Sequence, residues 1–333
     1  MRKFVALLVV VTVVLAAWFG GWFYGAGEIN RAIANLAAGG GENAPRITCG
    51  RQSVTGFPFR FDITCEDAVL VAGDVTATLA GFKVSILAYN PTLAKFSALA
   101  PLTLSDAYSG AQSRIGFAAA EGSAHVTTDD LWAGLAGEGW RIQRVSVVAD
   151  GVDWADTVVD ETPVLKSSHI EAHLLDVPER HDAAAGTAVL ASYVSLSDVI
   201  APRYGIAGGE ATLEAEVSGL PDDLRAFLAE DVADRWRDAG GTLKLVGLRG
   251  AAGEDFVETS GTLTLDSGDR LDGQVQVRSR GLVERLGDLI PPDWRTVLLG
   301  GQADDGSYAQ TLTIKAGVVF VGLLPVAMIP PLI

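Results

Sequence analysis

Three side chains in the stretch HIEAH have the chemistry of metal ligands. On a β-strand, His169, Glu171 and His173 point to one face, because side chains alternate along a strand. Two imidazoles and a carboxylate are a ligand set that zinc accepts. The order differs from the H-E-x-x-H motif of helical metalloproteases, and a solvated strand face produces the same alternation. The sequence therefore predicts that this segment binds no metal.

The remaining chain carries no recognisable catalytic motif. It has no G-x-S-x-G, no P-loop and no glycine-rich dinucleotide fingerprint, and its four histidines give no positive support for a Ser/His/Asp arrangement. Asp266, Asp269 and Asp272 lack the spacing of a calcium loop. We therefore predict a protein without catalytic residues or cofactors. A hydrolase assembled from distant residues stays a remote alternative.

The two cysteines offer the second piece of chemistry. Cys49 and Cys65 enclose the stretch GRQSVTGFPFRFDIT, and the apolar residues before Cys65 alternate with other types, which is typical of a half-buried strand. If TGFPF is the bend of a hairpin, the cysteines face each other and can form a disulfide. Two buried free thiols are the alternative, and a redox pair is disfavoured because C-x-x-C is absent. The candidate apolar face comprises Phe57, Phe59, Phe61 and Ile63.

A disulfide requires an oxidising compartment, and the N-terminus indicates how the chain reaches one. Arg2 and Lys3 precede an uncharged run, Phe4–Tyr24, which as a helix would be about 31 Å long and would match the hydrocarbon core of a bilayer. Basic residues favour the cytoplasmic side. We predict a single-pass inner-membrane protein, anchored through residues 4–24, with a cytoplasmic N-terminus and a periplasmic body.

A cleaved signal peptide is the alternative to an anchor. Its apolar region is normally shorter, and the segment Leu15-Ala16-Ala17 is a poor cleavage site because Trp18 follows it directly. Aromatic residues cluster at the far end of the run, as in the aromatic belt of a membrane span: Trp18, Trp22 and Tyr24.

The charge of the chain excludes one class of partner. There are 25 Lys and Arg against 41 Asp and Glu, a net charge of −16. The anchor holds two of the basic residues, so the exported part carries 23 − 41 = −18. Such a body repels nucleic acid and anionic lipid headgroups. A hydrophobic content of 49% indicates a folded body rather than an acidic disordered tail.

Short alternating runs separated by turns predict the fold class. The 38 glycines fall largely between such runs, which favours a mainly β (β-rich α+β) protein. We expect an elongated, curved antiparallel sheet with a few covering helices, preceded by one transmembrane helix. The predicted organisation is an anchor over 1–26, a short helix and Gly-rich linker over 27–45, and a body over 46–333. We expect the body to form either one elongated domain or two similar halves that meet near 200–210.

The sequence also predicts three helices in the body and an apolar C-terminal tail. A helix is expected over 221–240, another over 128–136, and one over 281–301 that is broken at Pro291-Pro292. The apolar tail Gly317–Ile333 contains three prolines, which argues against a second span. Docking on the body is the simpler prediction for the tail, and contact with a membrane surface or a partner is the alternative.

The chain resembles a known family. The stretches CGRQSVTGFPFRFDITCEDAVL, GTLTLDSGDRLDGQVQV and LTIKAGVVFVGLLPV, together with the anchor, are similar to the alphaproteobacterial domain of unknown function 2125 over nearly the whole chain. The strand pairs are more distantly similar to AsmA-like inner-membrane proteins. The first resemblance implies location and architecture but no reaction, and the second implies a periplasmic sheet with an apolar groove.

Two functional hypotheses follow. In the first, the body binds or shields a lipid or another apolar ligand of the envelope in a trough on its sheet. In the second, it is a structural or assembly factor that binds envelope proteins through sheet edges. The acidic exterior favours a neutral ligand. Residues expected to extend the apolar face are Leu213, Val217, Leu263, Leu265, Val275 and Val277.

Overall fold

The computed structural model describes residues 2–38, 46–128, 134, 139–229, 231–281 and 299–330. The chain divides into two compact units, Met1–Gln112 and Ser113–Ile333, and each is described by itself. Three predicted segments lie wholly or mostly outside the described residues: the Gly-rich linker before residue 46, the helix over 128–136 and the broken helix over 281–301.

The first unit begins with one long helix, α1 (Arg2–Ala38). The segment contains no proline, and a helix pairs its backbone polar groups within the segment, as a bilayer requires. The helix continues past the uncharged run into EINRAIANLA. An 18-residue window within its segment Arg2–Asn35 has a mean hydropathy of 2.5. Among the described residues, this is the one helix long and apolar enough to cross a membrane. Such a helix fits a single-pass anchor or a signal sequence.

Four strands follow α1 in the first unit. They are β1 (Arg46–Thr55), β2 (Arg60–Ala72), β3 (Val75–Leu87) and β4 (Asn90–Asp106). Each pairs antiparallel with the next along the chain. Gly56 opens the bend between β1 and β2 with a φ of 102°, where a side chain would also meet Arg60.

The two cysteines are joined across this hairpin. Cys49 and Cys65 form a disulfide with their Cα atoms 5.4 Å apart, which confirms that the pair lies within disulfide reach. They are not directly opposed, because the ladder pairs Cys49 with Ala68 and Gln52 with Cys65. The register omits Asp67, whose φ is 50°. The disulfide is therefore a diagonal link across an irregular part of the ladder.

The described residues of the second unit lie mostly in strands. The first five are β5 (Gln112–Gly116), β6 (Ala119–Thr128), β7 (Trp140–Asp156), β8 (Thr162–Asp176) and β9 (Thr187–Ser197). The next four are β10 (Glu210–Pro221), β11 (Thr242–Ala252), β12 (Asp255–Leu265) and β13 (Leu271–Arg280). The last four are β14 (Gly301–Gln302), β15 (Tyr308–Lys315), β16 (Val318–Val321) and β17 (Leu324–Met328).

Pairing in the second unit is antiparallel and mostly sequential. From β6 to β13 each strand pairs with its neighbour in the chain, β5 adds to β7, and β13 continues through β15 to β16 and β17. The described part of the apolar tail is thus a hairpin that extends the sheet. The structure confirms a mainly β protein with antiparallel strands, few helices and a long N-terminal apolar helix.

The helix predicted over 221–240 is only partly correct. Its first part is a 3-10 turn, Leu224–Leu228, and only α2 (Val232–Asp238) is α-helical. Asp223 accepts a hydrogen bond from the backbone N–H of Arg225 at 2.8 Å, which starts the 3-10 turn. The apolar periodicity continued through the intervening residues, so it did not reveal this interruption.

Removing the disulfide should destabilise the first unit. The bond closes a loop with a sequence separation of 16 residues, and Cys49→Ser is expected to lower the free energy of unfolding by about 3 kcal/mol, because the unfolded chain gains conformational entropy. Thermal unfolding with and without reductant measures the effect. Reductant should lower the melting temperature of the wild type and leave Cys49→Ser unchanged. A wild-type melt that is insensitive to reductant would contradict this prediction.

Candidate functional site

The second unit presents one continuous apolar surface. Directly paired residues of neighbouring strands share a face, so the register from β9 to β16 defines cross-strand rows. The first row is Leu190, Val217, Leu243, Leu263, Gly273, Ile314 and Val319. The second is Ser192, Ala215, Leu245, Gly261, Val275, Leu312 and Val321. We call the surface made by these rows the apolar face.

Two shorter rows extend the apolar face along the strands. One is Val194, Leu213, Leu248, Thr259, Val277 and Gln310, and the other is Leu196, Ala211, Gly250, Val257, Ser279 and Tyr308. The six residues predicted from sequence to extend an apolar surface all share this face, with Leu265 at its end opposite Leu271. The opposite face is mainly polar and carries Glu214, Lys244, Gln274, Gln276 and Thr313, with Tyr193 and Phe320 among them.

Burial over the apolar face is incomplete. Leu190, Ala215, Ile314 and Val321 are buried, whereas most of the other apolar side chains in the rows are only half-buried. Half-buried aliphatic side chains still expose surface that a ligand could cover, and this covering is favourable in water. Part of the apolar face is therefore exposed to solvent.

A pocket lies at one end of the apolar face. Its volume is about 140 Å³, similar to the roughly 150 Å³ of an aliphatic cavity that holds benzene. The charged residues that line it are Glu210, Asp255 and Arg280. Arg280 donates two hydrogen bonds to the carbonyl of Glu254. The apolar lining includes Val199, Ile206, Ala211, Phe256 and Val257.

The other end of the apolar face contacts α2. The indole N–H of Trp236 donates to the carbonyl of Ser218, with a donor–acceptor distance of 2.7 Å. Gly241 is required beside this ring, since a Cβ there would lie 2.2 Å from the indole nitrogen. Trp236 therefore fixes the short helix on the end of β10.

A second candidate region lies in the first unit, where α1 meets the bend between β1 and β2. The Trp22 ring stacks on Phe61 with ring centroids 5.4 Å apart and meets Phe57 edge-on at 5.5 Å. Phe19 and Phe23 also contact Phe57. Trp22 is only 7% exposed, so this aromatic cluster buries part of the predicted span against the hairpin.

Hydrogen bonds reinforce the aromatic cluster. The indole N–H of Trp18 donates to the carbonyl of Pro58, and that of Trp22 donates to the carbonyl of Arg60, both at 3.0 Å. Gly25 permits this close packing, because a Cβ there would lie 3.1 Å from the ring of Phe61. Tryptophan at these two positions thus provides both apolar surface for packing and a hydrogen-bond donor.

An apolar groove opens beside the aromatic cluster. Its volume is about 500 Å³. One wall belongs to the apolar run of α1, and the other wall belongs to the hairpin and the turn after β3. The lining residues are Val14, Ala17, Trp18, Gly21, Trp22, Phe61 and Ala88.

Four residues of the first unit, Phe57, Phe59, Phe61 and Ile63, were predicted from sequence to share an apolar surface. They differ in position and in burial. Phe57 and Phe59 lie in the bend, and Phe59 is 61% exposed. Phe61 and Ile63 lie on β2 and are half-buried, with Phe61 against α1. Whether these four residues form a ligand-binding face stays a prediction.

Asp62 is buried, although strand alternation predicts that it faces solvent. It is one of the residues that alternate with the apolar residues before Cys65. Its residue exposure is 4%, and its carboxylate accepts a hydrogen bond from Ser85 Oγ at 2.7 Å. Arg60 and Lys83 pair with the same carboxylate at 2.9 Å and 3.5 Å. A buried carboxylate requires such partners. Arg60, Lys83 and Ser85 are the residues that could have indicated a buried carboxylate. Their proximity to Asp62 depends on the register of β2 and β3.

The HIEAH segment lies on β8 and its imidazoles bind carboxylates. His169 contacts Asp150 at 2.6 Å and Glu171 at 2.9 Å. The hydrogen bonds of Glu171 and Asp150 raise the pKa of His169 above its usual value, and His169 and His173 lower the pKa of Glu171. Among the described residues, no group of three His, Cys, Asp or Glu side chains has an arrangement suited to a metal ion.

Ser146 joins this segment in a way that the sequence did not reveal. Its Oγ lies 3.0 Å from His173 Nδ1, and His173 Nε2 lies 3.5 Å from Glu171. The order of hydroxyl, imidazole and carboxylate is that of a hydrolase triad, but the second contact is too long for a strong hydrogen bond. Ser146 and His173 are also directly paired within the ladder of β7 and β8, where backbone N–H groups already have partners.

Glu171→Gln should lower the pKa of His169, because a neutral amide stabilises the imidazolium less than a carboxylate does. The stabilisation from the raised pKa of His169 is present below the ordinary histidine pKa and is lost as the pH rises through the folded-state pKa. Proton NMR titration of the His169 ring measures the change. The exposed Glu254→Gln variant is the control, and an unchanged His169 pKa in Glu171→Gln would contradict the prediction.

Comparisons with known proteins place the chain in a family. A search of curated proteins found no match, and a search of solved structures found none either. One family model matches residues 22–330, which is nearly the whole chain. The match begins at Trp22, within the aromatic cluster, and includes both units. The chain therefore belongs to the family described as an uncharacterised protein conserved in bacteria, domain of unknown function 2125 (DUF2125).

Proposed function

We propose that α1 remains attached as an inner-membrane anchor, with the N-terminus in the cytoplasm and both units in the periplasm. Arg2 and Lys3 support this orientation. Trp22 and Ala26 support retention of the helix, because both are buried in the first unit. Cleavage near the end of the apolar run would remove side chains that pack on the hairpin and would expose Phe61.

Intact mass spectrometry of the purified protein tests retention of α1. The expected mass includes the apolar run Phe4–Tyr24. A mature protein that lacks the first 17 to 26 residues would contradict the anchor and would favour a signal peptide.

We further propose that the second unit binds a lipid or another apolar ligand of the envelope, without catalysing a reaction. The observation that carries this proposal is the apolar face, whose cross-strand rows run over β9 to β16 and are only partly buried. The resemblance of the strand pairs to AsmA-like proteins favours the same role. Each methylene group that a ligand buries there would contribute about 0.8 kcal/mol, so several contacts suffice for useful affinity.

Charge narrows the class of ligand. The exported part of the chain carries 23 basic against 41 acidic residues. An anionic headgroup would be repelled over most of this surface, whereas a neutral molecule or an acyl chain would not. We therefore propose a ligand whose contact with the second unit is uncharged.

A charged substitution on the apolar face tests the proposal. Val275→Glu places a carboxylate in the second row, where removing it from water beneath a ligand would be costly. We expect mass spectrometry of small molecules extracted from the purified protein to find an apolar ligand in the wild type and at least a tenfold loss in Val275→Glu. The matched control is Gln276→Glu, the next residue on β13, which points to the polar face and should retain the ligand.

The melting temperature separates loss of binding from loss of folding. If Val275→Glu unfolds, the milder Val275→Thr should still reduce ligand recovery, because it replaces one methyl group with a hydroxyl at little change in volume. Equal recovery of ligand from wild type, Val275→Thr and Gln276→Glu would contradict binding at the apolar face, as would a wild type purified without any apolar molecule.

The tail hairpin favours a second candidate function, a structural or assembly role in the envelope. Leu323, Leu324 and Met328 are exposed apolar residues on or beside β17. Exposed apolar residues on a strand are suited to contact with another protein. A ligand-free wild type in the extraction experiment would favour this role over ligand binding.

A further inference from the structure

The bend between β1 and β2 lies beside the membrane span. Trp18 and Trp22 both belong to the uncharged run Phe4–Tyr24, and their indole groups bond to the carbonyls of Pro58 and Arg60. At 1.5 Å per residue, these two tryptophans precede the end of the run by about 9 Å and 3 Å along the helix axis. The bend therefore packs against the last turns of the predicted span.

Four backbone carbonyls of the bend accept hydrogen bonds from within the protein. Irregular backbone is tolerated near the bilayer core only where its polar groups find partners within the protein. The carbonyl of Gly56 accepts from the N–H of Arg60, and that of Phe59 accepts from the N–H of Ala88. The span itself provides the donors for the carbonyls of Pro58 and Arg60. Pro58 has no N–H group to satisfy.

The side chains at this end of the sheet suit the bilayer interface. Phe59 is 61% exposed and Tyr89, in the neighbouring turn between β3 and β4, is 71% exposed. Aromatic rings are enriched at the boundary between hydrocarbon and headgroups. At the opposite end of the same strands, the turns carry Asp74 and Asp106 instead.

Charged residues also differ between the two ends of these strands. Lys95 pairs in register with Ser85, which pairs with Asp62, so this lysine lies near the bend end of the strands. Arg60 and Lys83 bind the carboxylate of Asp62 and outnumber it. The bend end of this acidic protein is thus locally cationic, and cations next to exposed aromatic rings suit the phosphate layer of a membrane.

We propose that the bend is a second membrane contact, in which Phe57, Phe59 and Tyr89 occupy the interfacial layer of the bilayer that α1 spans. This inference rests on the proposed anchor and is independent of ligand binding by the second unit. The apolar groove beside Trp18 then faces acyl chains of that bilayer rather than water. The first unit would be held at the membrane by a helix and by a hairpin tip together.

Depth-dependent fluorescence quenching tests the proposal on the full chain. The two native cysteines are bonded to each other, so a single introduced cysteine is the only free thiol for a polarity-sensitive dye. The variants Phe59→Cys and Tyr89→Cys report on the bend end. Their matched controls, Val75→Cys and Tyr108→Cys, lie at the opposite end of the strands, and the length of β2 separates the two ends by about 40 Å. The labelled proteins are reconstituted in phosphatidylcholine nanodiscs with and without a lipid that carries a spin label near its headgroup.

We expect the spin-labelled lipid to reduce dye emission at least twofold at positions 59 and 89, and to have no effect at positions 75 and 108. A further label at Leu8→Cys reports on α1 alone. Quenching at position 8 without quenching at 59 and 89 would overturn the second contact and leave the anchor intact. Absence of quenching at position 8 would overturn the anchor and this inference with it. Equal quenching at all five positions would also overturn the inference, since the sheet would then lie flat on the membrane.

Discussion

The two-residue period of an extended chain is the constraint on which this protein depends. Because the described residues include few helices, apolar side chains are buried mainly where neighbouring strands place them on the same face. In the second unit the shift between Glu214 and Ala215 adjusts the register with β11 so that the rows continue from β9 to β16. A slip of one residue in a single strand would turn that strand's aliphatic side chains to the polar face.

In the first unit, a helix from outside the sheet also buries apolar side chains of the hairpin. Trp22 and Gly25 bring α1 onto Phe61, and the side-chain amide of Gln52 donates to Asn30 farther along the helix. Gln52 pairs with Cys65 in the ladder, so α1 and the disulfide share one side of the hairpin. An apolar segment that could have served only as an anchor thereby becomes part of the folded unit, and the hairpin it covers is closed covalently.

Sequence reasoning was most accurate where one local pattern decides the outcome. Strand alternation, the uncharged N-terminal run and the pairing of Cys49 with Cys65 follow from nearest neighbours and from composition. It was least accurate where partners are distant in the chain. Asp62 is buried because Lys83 and Ser85 arrive from another strand, and Ser146 reaches His173 only through the register of β7 and β8. The tail hairpin likewise depends on β15 as a template, which its prolines and apolar composition did not reveal.

In the proposed anchored state, the continuity of α1 would couple the first unit to the thickness of the membrane. The helix runs from Arg2 to Ala38 without a break, so the segment in the lipid and the segment under the hairpin tilt as one body. A bilayer thicker or thinner than the apolar run is accommodated by helix tilt or by local adjustment of the lipid. Because Trp22 is packed on Phe61, tilt of the helix would carry the sheet of the first unit with it. Hydrophobic mismatch would therefore change the angle at which this sheet stands on the membrane.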